Sequence, residues 1–170
     1  MRPGIKLALV FAVCAAPFVL GWLAFEYGWG TGQRSNYGEL LKPRPVAGPL
    51  APLRGKWVLV TADDAACSAA CERKLYIVRQ VRRAQGKEMD RIDRLWLLTG
   101  GGKPRAELVR ALDGGHIAAA DTELLKALPN IADIYLVDPL GNLMMRFPAE
   151  ADPPKMIKDL QRLLKYSGFG

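Results

Sequence analysis

The distribution of apolar and polar residues divides the chain into an apolar N-terminal run, a stretch rich in Gly and Pro, and a longer segment of alternating elements. Residues 7–25 are nineteen positions without a charge. At about 1.5 Å rise per residue, a helix of that length matches the ~30 Å hydrocarbon core of a bilayer. The pattern predicts one transmembrane helix within residues 1–25. A cleaved signal peptide is the alternative, but its apolar region is usually only about 7–15 residues long.

The next segment, residues 26–53, changes character. It contains Gly28, Gly30 and Gly32, then four prolines between positions 43 and 52, and it has few apolar runs. A proline-rich segment is extended, at about 3.1 Å per residue. We therefore predict a tether over 26–53 that holds a folded domain, residues 54–170, at a distance from the membrane.

The folded segment begins with a continuous apolar run. Trp57–Ala62 has the length and composition of a strand that is covered on both faces. Asp63 or Asp64 is a natural N-cap for a helix that continues to about Gln85. Ile92–Thr99 then alternates as a second strand. A strand, a helix and a strand in this order predict a right-handed parallel unit.

The later pattern adds further helices, a short strand and a hairpin. The predicted helices cover 104–112, 121–128 and 155–166, the short strand covers 116–120, and the hairpin pairs 134–137 with 143–147. The complete order predicts an α/β, thioredoxin-like domain. We expect a central mixed sheet flanked by helices and preceded by one transmembrane helix.

Candidate chemistry lies at the strand-to-helix junction, where Cys67 and Cys71 fall in the first turns of the predicted helix. Side chains at i and i+4 of a helix have Cβ atoms about 5–6 Å apart, whereas a disulfide needs ~3.5–4.5 Å, so a disulfide must distort the first turn. Closing this short loop removes only roughly 2 kcal/mol of chain entropy, so the bond would be easily reduced. Cu(I) suits the same spacing through two metal–sulfur bonds of ~2.3 Å. The alternative is two buried small residues in an Ala-rich helix start.

The composition limits the other kinds of site. Three cysteines among 170 residues exclude a disulfide framework, and a single histidine excludes multi-histidine metal sites. His116 is therefore the only imidazole available as a base or metal ligand. The formal net charge is +7, and it is still +5 without Arg2 and Lys6. This excess favours an acidic partner or an anionic lipid surface, and we predict no nucleic-acid partner.

Basic residues around the apolar run predict its orientation. Arg2 and Lys6 precede the run, and the next basic residue is Arg34. The positive-inside rule then places the N-terminus in the cytoplasm and the C-terminal domain across the membrane. In a bacterium, this predicts a single-pass protein of the inner membrane, held by residues 7–25, with a periplasmic domain.

Several of these features together resemble the Sco/SenC copper chaperones of cytochrome c oxidase assembly. They are the anchor, the proline-containing stretch, Leu53-Arg-Gly-Lys-Trp-Val-Leu-Val, the pair in Cys67-Ser-Ala-Ala-Cys71, and Ile134-Tyr-Leu-Val-Asp-Pro-Leu-Gly. The resemblance covers about residues 53–166. It implies a domain that binds copper through both cysteines and a distant histidine, or that reduces the cysteines of the oxidase copper site. The family's histidine position corresponds to Asn130, which leaves His116 as the candidate third ligand.

Three hypotheses follow. In the first, a Sco-like factor serves a cytochrome c oxidase subunit or its copper site. Cys67 attacks a disulfide or presents Cu(I), and Cys71 resolves the exchange or completes the clamp. In the second, the domain is a general thiol–disulfide oxidoreductase for exported proteins. In the third, it is a non-catalytic assembly subunit whose basic helix face, made by Arg79, Arg82 and Arg83, docks on an acidic partner.

Overall fold

The computed structural model describes residues 3–27 and 36–168, and the chain forms two units, residues 1–35 and 36–170. The first unit contains helix α1, Pro3–Glu26. Its 24 residues make a helix of about 36 Å, which is long and apolar enough to cross a membrane. Large apolar side chains such as Phe11 and Phe18 are 72% and 81% exposed. The predicted N-terminal apolar helix is therefore confirmed.

The second unit is built on a mixed sheet of six strands in the order β1-β6-β5-β2-β3-β4. The strands are β1 Glu39–Pro45, β2 Trp57–Asp63, β3 Ile92–Leu98, β4 His116–Ala119, β5 Ile134–Val137 and β6 Asn142–Phe147. β2, β3 and β4 are parallel, whereas β5 is antiparallel to β2 and β6, and β1 is antiparallel to β6. This arrangement confirms the predicted thioredoxin-like α/β class.

Four helices accompany the sheet: α2 Ala69–Arg83, α3 Ala106–Ala111, α4 Thr122–Ala127 and α5 Pro153–Tyr166. Two 3₁₀ helices cover Gly48–Leu53 and Gly86–Arg91. Helices α2 and α5 contribute side chains to the apolar core on one face of the sheet. The first 3₁₀ helix and α4 contribute to a second core on the other face.

Strand β2 is buried on both faces, which explains why its sequence does not alternate between apolar and polar residues as in a half-exposed strand. Leu59 is fully buried in the core beside α2 and α5, whereas the next residue, Val60, is 1% exposed in the core beside α4. Successive side chains of a strand point to opposite faces, so both sets must be apolar when both faces are covered.

The predicted tether differs from the structure over residues 36–53, which belong to the folded domain. β1 pairs with β6, and Val46, Leu50 and Leu53 are buried in the core. The prolines are compatible with this, because β1 is an edge strand, where a missing N–H costs no ladder hydrogen bond. Of the predicted tether, only 28–35 lies between the two described parts of the chain, outside the described residues.

We predict that Gly38→Ala destabilises the domain. A Cβ at Gly38 would lie 2.6 Å from Phe147 Cε1 and 2.7 Å from Met145 Sδ, so a methyl group overpacks the core. The expected loss in unfolding free energy is about 1–3 kcal/mol, measured by urea denaturation. Gly101→Ala is the matched control, since its Cβ meets nothing within 4 Å. Equal stability of the two variants would contradict the packing of residues 36–53 against the core of the domain.

Candidate functional site

The cysteine loop connects the end of β2 to α2 and corrects the predicted start of this helix. Ser68, not Asp63 or Asp64, is the N-cap, and its hydroxyl accepts the N–H of Cys71 at 3.4 Å. Cys67 precedes the helix and has a φ of +50°. A residue in this left-handed conformation cannot belong to a right-handed helix. Asp64 Oδ1 instead accepts the N–H of Cys67 at 2.9 Å, which fixes the turn.

Cys67 and Cys71 form a disulfide, with Cα atoms 5.2 Å apart. The expectation that this bond distorts the first turn of the helix is corrected, because it assumed that both cysteines are helical. With Cys67 in the preceding turn, only Cys71 belongs to α2. The ring encloses only the three residues between the cysteines, so the bond contributes little chain entropy to stability. Its place at the junction favours a chemical role over a structural one.

An apolar cover encloses the disulfide, and Cys67 and Cys71 are only 4% and 1% exposed. The cover consists of Leu75 of α2, Trp96 of β3, and Leu108 and Leu112 of the α3 segment.

Polar contacts hold the α3 segment against α2. Arg105 makes an ion pair with Glu72, and Arg79 Nη1 donates to the carbonyl of Ala111 at 3.1 Å. A partner can reach the sulfur atoms only if this segment or the cysteine loop moves.

A buried ion pair lies one helical turn from Cys71. Lys74 is 3% exposed, and its Nζ lies 2.7 Å from Asp63 Oδ2 and 3.0 Å from the carbonyl oxygen of Ala132. Burial raises the pKa of Asp63 above its ordinary value of 3.8, while the hydrogen bond and the charge of Lys74 act in the opposite direction. The pair joins the end of β2, helix α2 and the loop before β5.

The helical spacing around Lys74 contains a signal for this ion pair, which the predictions from the sequence did not include. Lys74 is at i+3 from Cys71 and directly before Leu75, so it lies beside the inward face of α2. A lysine so placed must find a buried partner, because an isolated buried ammonium is costly. Asp63 ends the buried strand β2 and is the carboxylate that the fold brings to it.

His116 lies in a different part of the domain from the two cysteines. It begins β4 and pairs with Leu95, and its Nε2 lies 3.1 Å from Asp93 Oδ2 near the start of β3. The cysteines follow the opposite end of β2. Among the described residues, no group of three His, Cys, Asp or Glu side chains could hold a metal ion. The structure thus brings the two cysteines together but does not bring His116 to them.

Asn130, which the resemblance to Sco proteins puts at their histidine position, stabilises a turn. Its N–H donates to the hydroxyl of Tyr135 at 2.8 Å, and its side-chain oxygen accepts the N–H of Ala132 at 3.2 Å. These contacts hold the loop whose carbonyl binds Lys74.

The three arginines of the predicted docking face contact their own domain. Arg79 binds the carbonyl of Ala111, Arg82 Nε donates to the carbonyl of Ile92 at 2.8 Å, and Arg83 pairs with Asp113 at 2.7 Å. These interactions connect α2 to α3 and β3, so they give the arginines a role in packing.

A comparison with protein families matches one model, described as the transmembrane-like, thioredoxin-like, C-terminal domain, over residues 57–167. A search of curated proteins found no match.

Several solved structures share the fold at low sequence identity. Apo Sco1 from Thermus thermophilus is 16% identical, with a TM-score of 0.55, and the match covers 79% of this chain and 98% of that chain. Copper-bound ScoI from Bradyrhizobium japonicum is 20% identical, with a TM-score of 0.52 and coverage of 74% and 98%. Copper-bound yeast Sco1 is 14% identical, with a TM-score of 0.54 and coverage of 78% and 90%. The resemblance to Sco proteins is therefore confirmed in the fold, with a divergent sequence.

We predict that Lys74→Met raises the pKa of Asp63 further, because both contributions of Lys74 lower it. A carboxyl group whose folded pKa is raised favours folding below its unfolded pKa and loses that contribution as the pH rises through its folded pKa. The variant should therefore lose about 3 kcal/mol of stability at neutral pH and less near pH 4, where Asp63 is increasingly protonated.

Carboxyl NMR titration and urea denaturation at the two pH values measure these effects. Lys103→Met is the control, because Lys103 is exposed. An equal loss at both pH values would show that the lysine acts by packing and not through Asp63.

Proposed function

The chain belongs to the family of transmembrane-like, thioredoxin-like C-terminal domains. From this membership and the fold that it shares with Sco structures, we propose that it is a membrane-anchored, Sco-like factor of cytochrome c oxidase assembly. Its task is thiol–disulfide exchange through Cys67 and Cys71. The proposed partner is an oxidase subunit with cysteines at its copper site, which must be reduced before they can bind copper.

The observation that carries this proposal is the disulfide at the junction of β2 and α2. Few residues separate the two cysteines, so the dithiol and disulfide forms interconvert within one short loop. The helix N-terminus behind the pair carries a partial positive charge, which favours a thiolate. A disulfide at such a position suits a redox couple better than a structural cross-link.

In the proposed reaction, the thiolate of Cys67 attacks one sulfur of the partner's disulfide. A mixed disulfide forms, and the partner's other sulfur leaves as a thiolate and takes up a proton. The thiolate of Cys71 then attacks Cys67 Sγ, which releases the second partner thiolate. Two electrons pass to the partner, and the Cys67–Cys71 disulfide remains. A thiol donor on the same side of the membrane regenerates the dithiol.

The assignment of Cys67 as the attacking residue follows from its position. It lies in the loop before α2, between the exposed residues Ala66 and Ser68, whereas Cys71 is inside the first turn and is the more buried of the two. A partner therefore meets Cys67 first. Cys71 is placed to resolve the mixed disulfide.

The location follows from α1 and the basic residues at its start. Arg2 and Lys6 precede the apolar run, so the positive-inside rule supports a cytoplasmic N-terminus. We place the anchor in a bacterial inner membrane and the thioredoxin-like domain in the periplasm. An oxidising compartment is consistent with a disulfide in a protein with few cysteines.

Transient Cu(I) binding is the second candidate function, favoured by the donor set. The reduced pair offers two soft sulfur ligands, which Cu(I) prefers, and copper is bound in the ScoI structure from Bradyrhizobium japonicum. The metal is cargo in this proposal, and two thiolates without a third ligand favour its transfer. Because the disulfide offers no thiolate, loading requires prior reduction.

We predict that Cys71→Ser accumulates a mixed disulfide between Cys67 and the partner, because the resolving thiol is missing. The full chain should carry Cys14→Ser as well, so that the only remaining thiol is Cys67. Non-reducing electrophoresis followed by mass spectrometry identifies the adduct. Cys67→Ser in the same background is the matched control and should give far less of it. A general oxidoreductase would trap many exported proteins, whereas adducts equally frequent in both variants would contradict the assigned roles.

We predict that His116→Ala leaves Cu(I) affinity unchanged, because this ring contacts Asp93 and not the cysteines. Anaerobic competition with a chromophoric Cu(I) chelator measures the affinity of the reduced full chain with Cys14→Ser. Cys67→Ser combined with Cys71→Ser should abolish binding. A large loss in His116→Ala would instead mean that the reduced protein rearranges to recruit the histidine.

A further inference from the structure

An apolar groove lies at the end of the domain opposite the cysteines. It encloses about 400 Å³ between the β5–β6 turn and the C-terminal part of α5, and its lining includes Trp57, Leu140, Leu163 and Tyr166. Leu140 is 62% exposed and Tyr166 is 78% exposed. Two large side chains that flank one apolar groove at such exposure indicate an interaction surface.

Two exposed basic residues lie near the groove. Arg54 lies beside the turn, with its Nε 3.4 Å from where a Cβ of Gly141 would be, and the Nζ of Lys165 lies 5.6 Å from the ring centre of Tyr166. Asp138 also lines the groove, and its carboxylate accepts N–H groups of its own turn. The groove thus combines an apolar floor with a positively charged rim, which suits an anionic and partly apolar partner.

A side chain that lines the groove also contacts the first described residue of the domain. Arg162, which lines it, donates from Nη1 to Asn36 Oδ1 at 3.4 Å, and Asn36 is the first described residue of the domain. Eight residues, 28–35, separate Asn36 from Tyr27 at the end of α1. Even a fully extended chain of this length spans at most about 30 Å. This length is the upper limit of the connection between α1 and the domain.

We propose that this surface binds anionic lipid headgroups, with Leu140 and Tyr166 in the interfacial layer and Arg54 and Lys165 on the phosphates. We call it the lipid face. Tyrosine is enriched at membrane interfaces, and basic residues beside an apolar patch are typical of peripheral lipid contacts. This inference rests on the membrane anchor of the proposed function. It also gives a role to part of the positive net charge of the chain, which the thiol chemistry does not require.

Lipid contact at this face would orient the cysteine loop. Trp57 lines the groove at the start of β2, and Cys67 follows the end of the same strand. Seven residues at about 3.3 Å each separate the two ends by roughly 20 Å. The disulfide is thereby directed away from the bilayer, toward the exposed part of a membrane-bound partner.

Spin labels on the full chain test this proposal. Nitroxides are attached at Leu140→Cys or Tyr166→Cys in a Cys14→Ser background, with the disulfide kept oxidised so that only the new thiol reacts. Glu150→Cys is the matched control, because Glu150 is exposed beyond the end of β6, at the opposite end of the sheet. The protein is reconstituted in phosphatidylcholine vesicles with and without phosphatidylglycerol. Collision rates with oxygen and with a water-soluble nickel complex distinguish lipid from water.

We expect the labels at 140 and 166, but not at 150, to be lipid-exposed in vesicles that contain phosphatidylglycerol. Arg54→Glu with Lys165→Glu should weaken this contact by about thirtyfold, from the loss of two basic residues at the surface. Lys103→Glu with Arg110→Glu, elsewhere on the domain, should not change it. Equal water exposure of all three labels would overturn the proposal and indicate a protein partner for the groove.

Extraction of the same vesicles with alkaline carbonate separates this proposal from the proposed function. If the chain stays in the vesicles while its labels remain in water, the lipid-face proposal is wrong but α1 still anchors the protein. If carbonate releases the chain, α1 does not span the bilayer, and both the anchor and the lipid-face proposal are wrong. Neither result depends on thiol chemistry, which the mixed-disulfide experiment tests independently.

Discussion

Burial of β2 on both faces is the constraint on which the rest of the domain depends. Its side chains alternate between the core beside α2 and α5 and the core beside α4, so both layers pack on one strand. The same strand pairs with β3 and β5, which fixes the centre of the sheet. Its C-terminal end leads directly into the cysteine loop. The position of the cysteine pair is therefore set by a strand that is buried on both faces.

The site combines this rigid support with a cover that must open. Lys74 connects β2, α2 and the loop before β5 through its contacts with Asp63 and Ala132, so the framework beneath the cysteines is fixed. The α3 segment above them is held by the buried Leu108 and Leu112, by the hydrogen bond from Arg79 to Ala111, and by an exposed ion pair between Glu72 and Arg105. Exposed ion pairs typically contribute about 0–1 kcal/mol, so this pair adds little to the free energy needed to displace the cover.

The two ends of the domain have different roles in the proposed function. The C-terminal end of β2 leads to the disulfide and its cover, while the opposite end of the sheet carries the exposed Leu140 and Tyr166. Folding of residues 36–53 into the domain shortens the connection to α1 to residues 28–35.

The sequence by itself determined the elements whose patterns are local. Trp57–Ala62 predicted a strand buried on both faces, the apolar run predicted α1, and the order of elements predicted the thioredoxin-like class. Tertiary structure decided what depends on distant residues. Pro43 and Pro45 look like a tether until β6 supplies the pairing strand, and both Asp64 and Ser68 can cap a helix until the turn at Cys67 selects Ser68. The buried partner of Lys74 and the separation of His116 from the cysteines likewise follow from sheet register, which no local pattern contains.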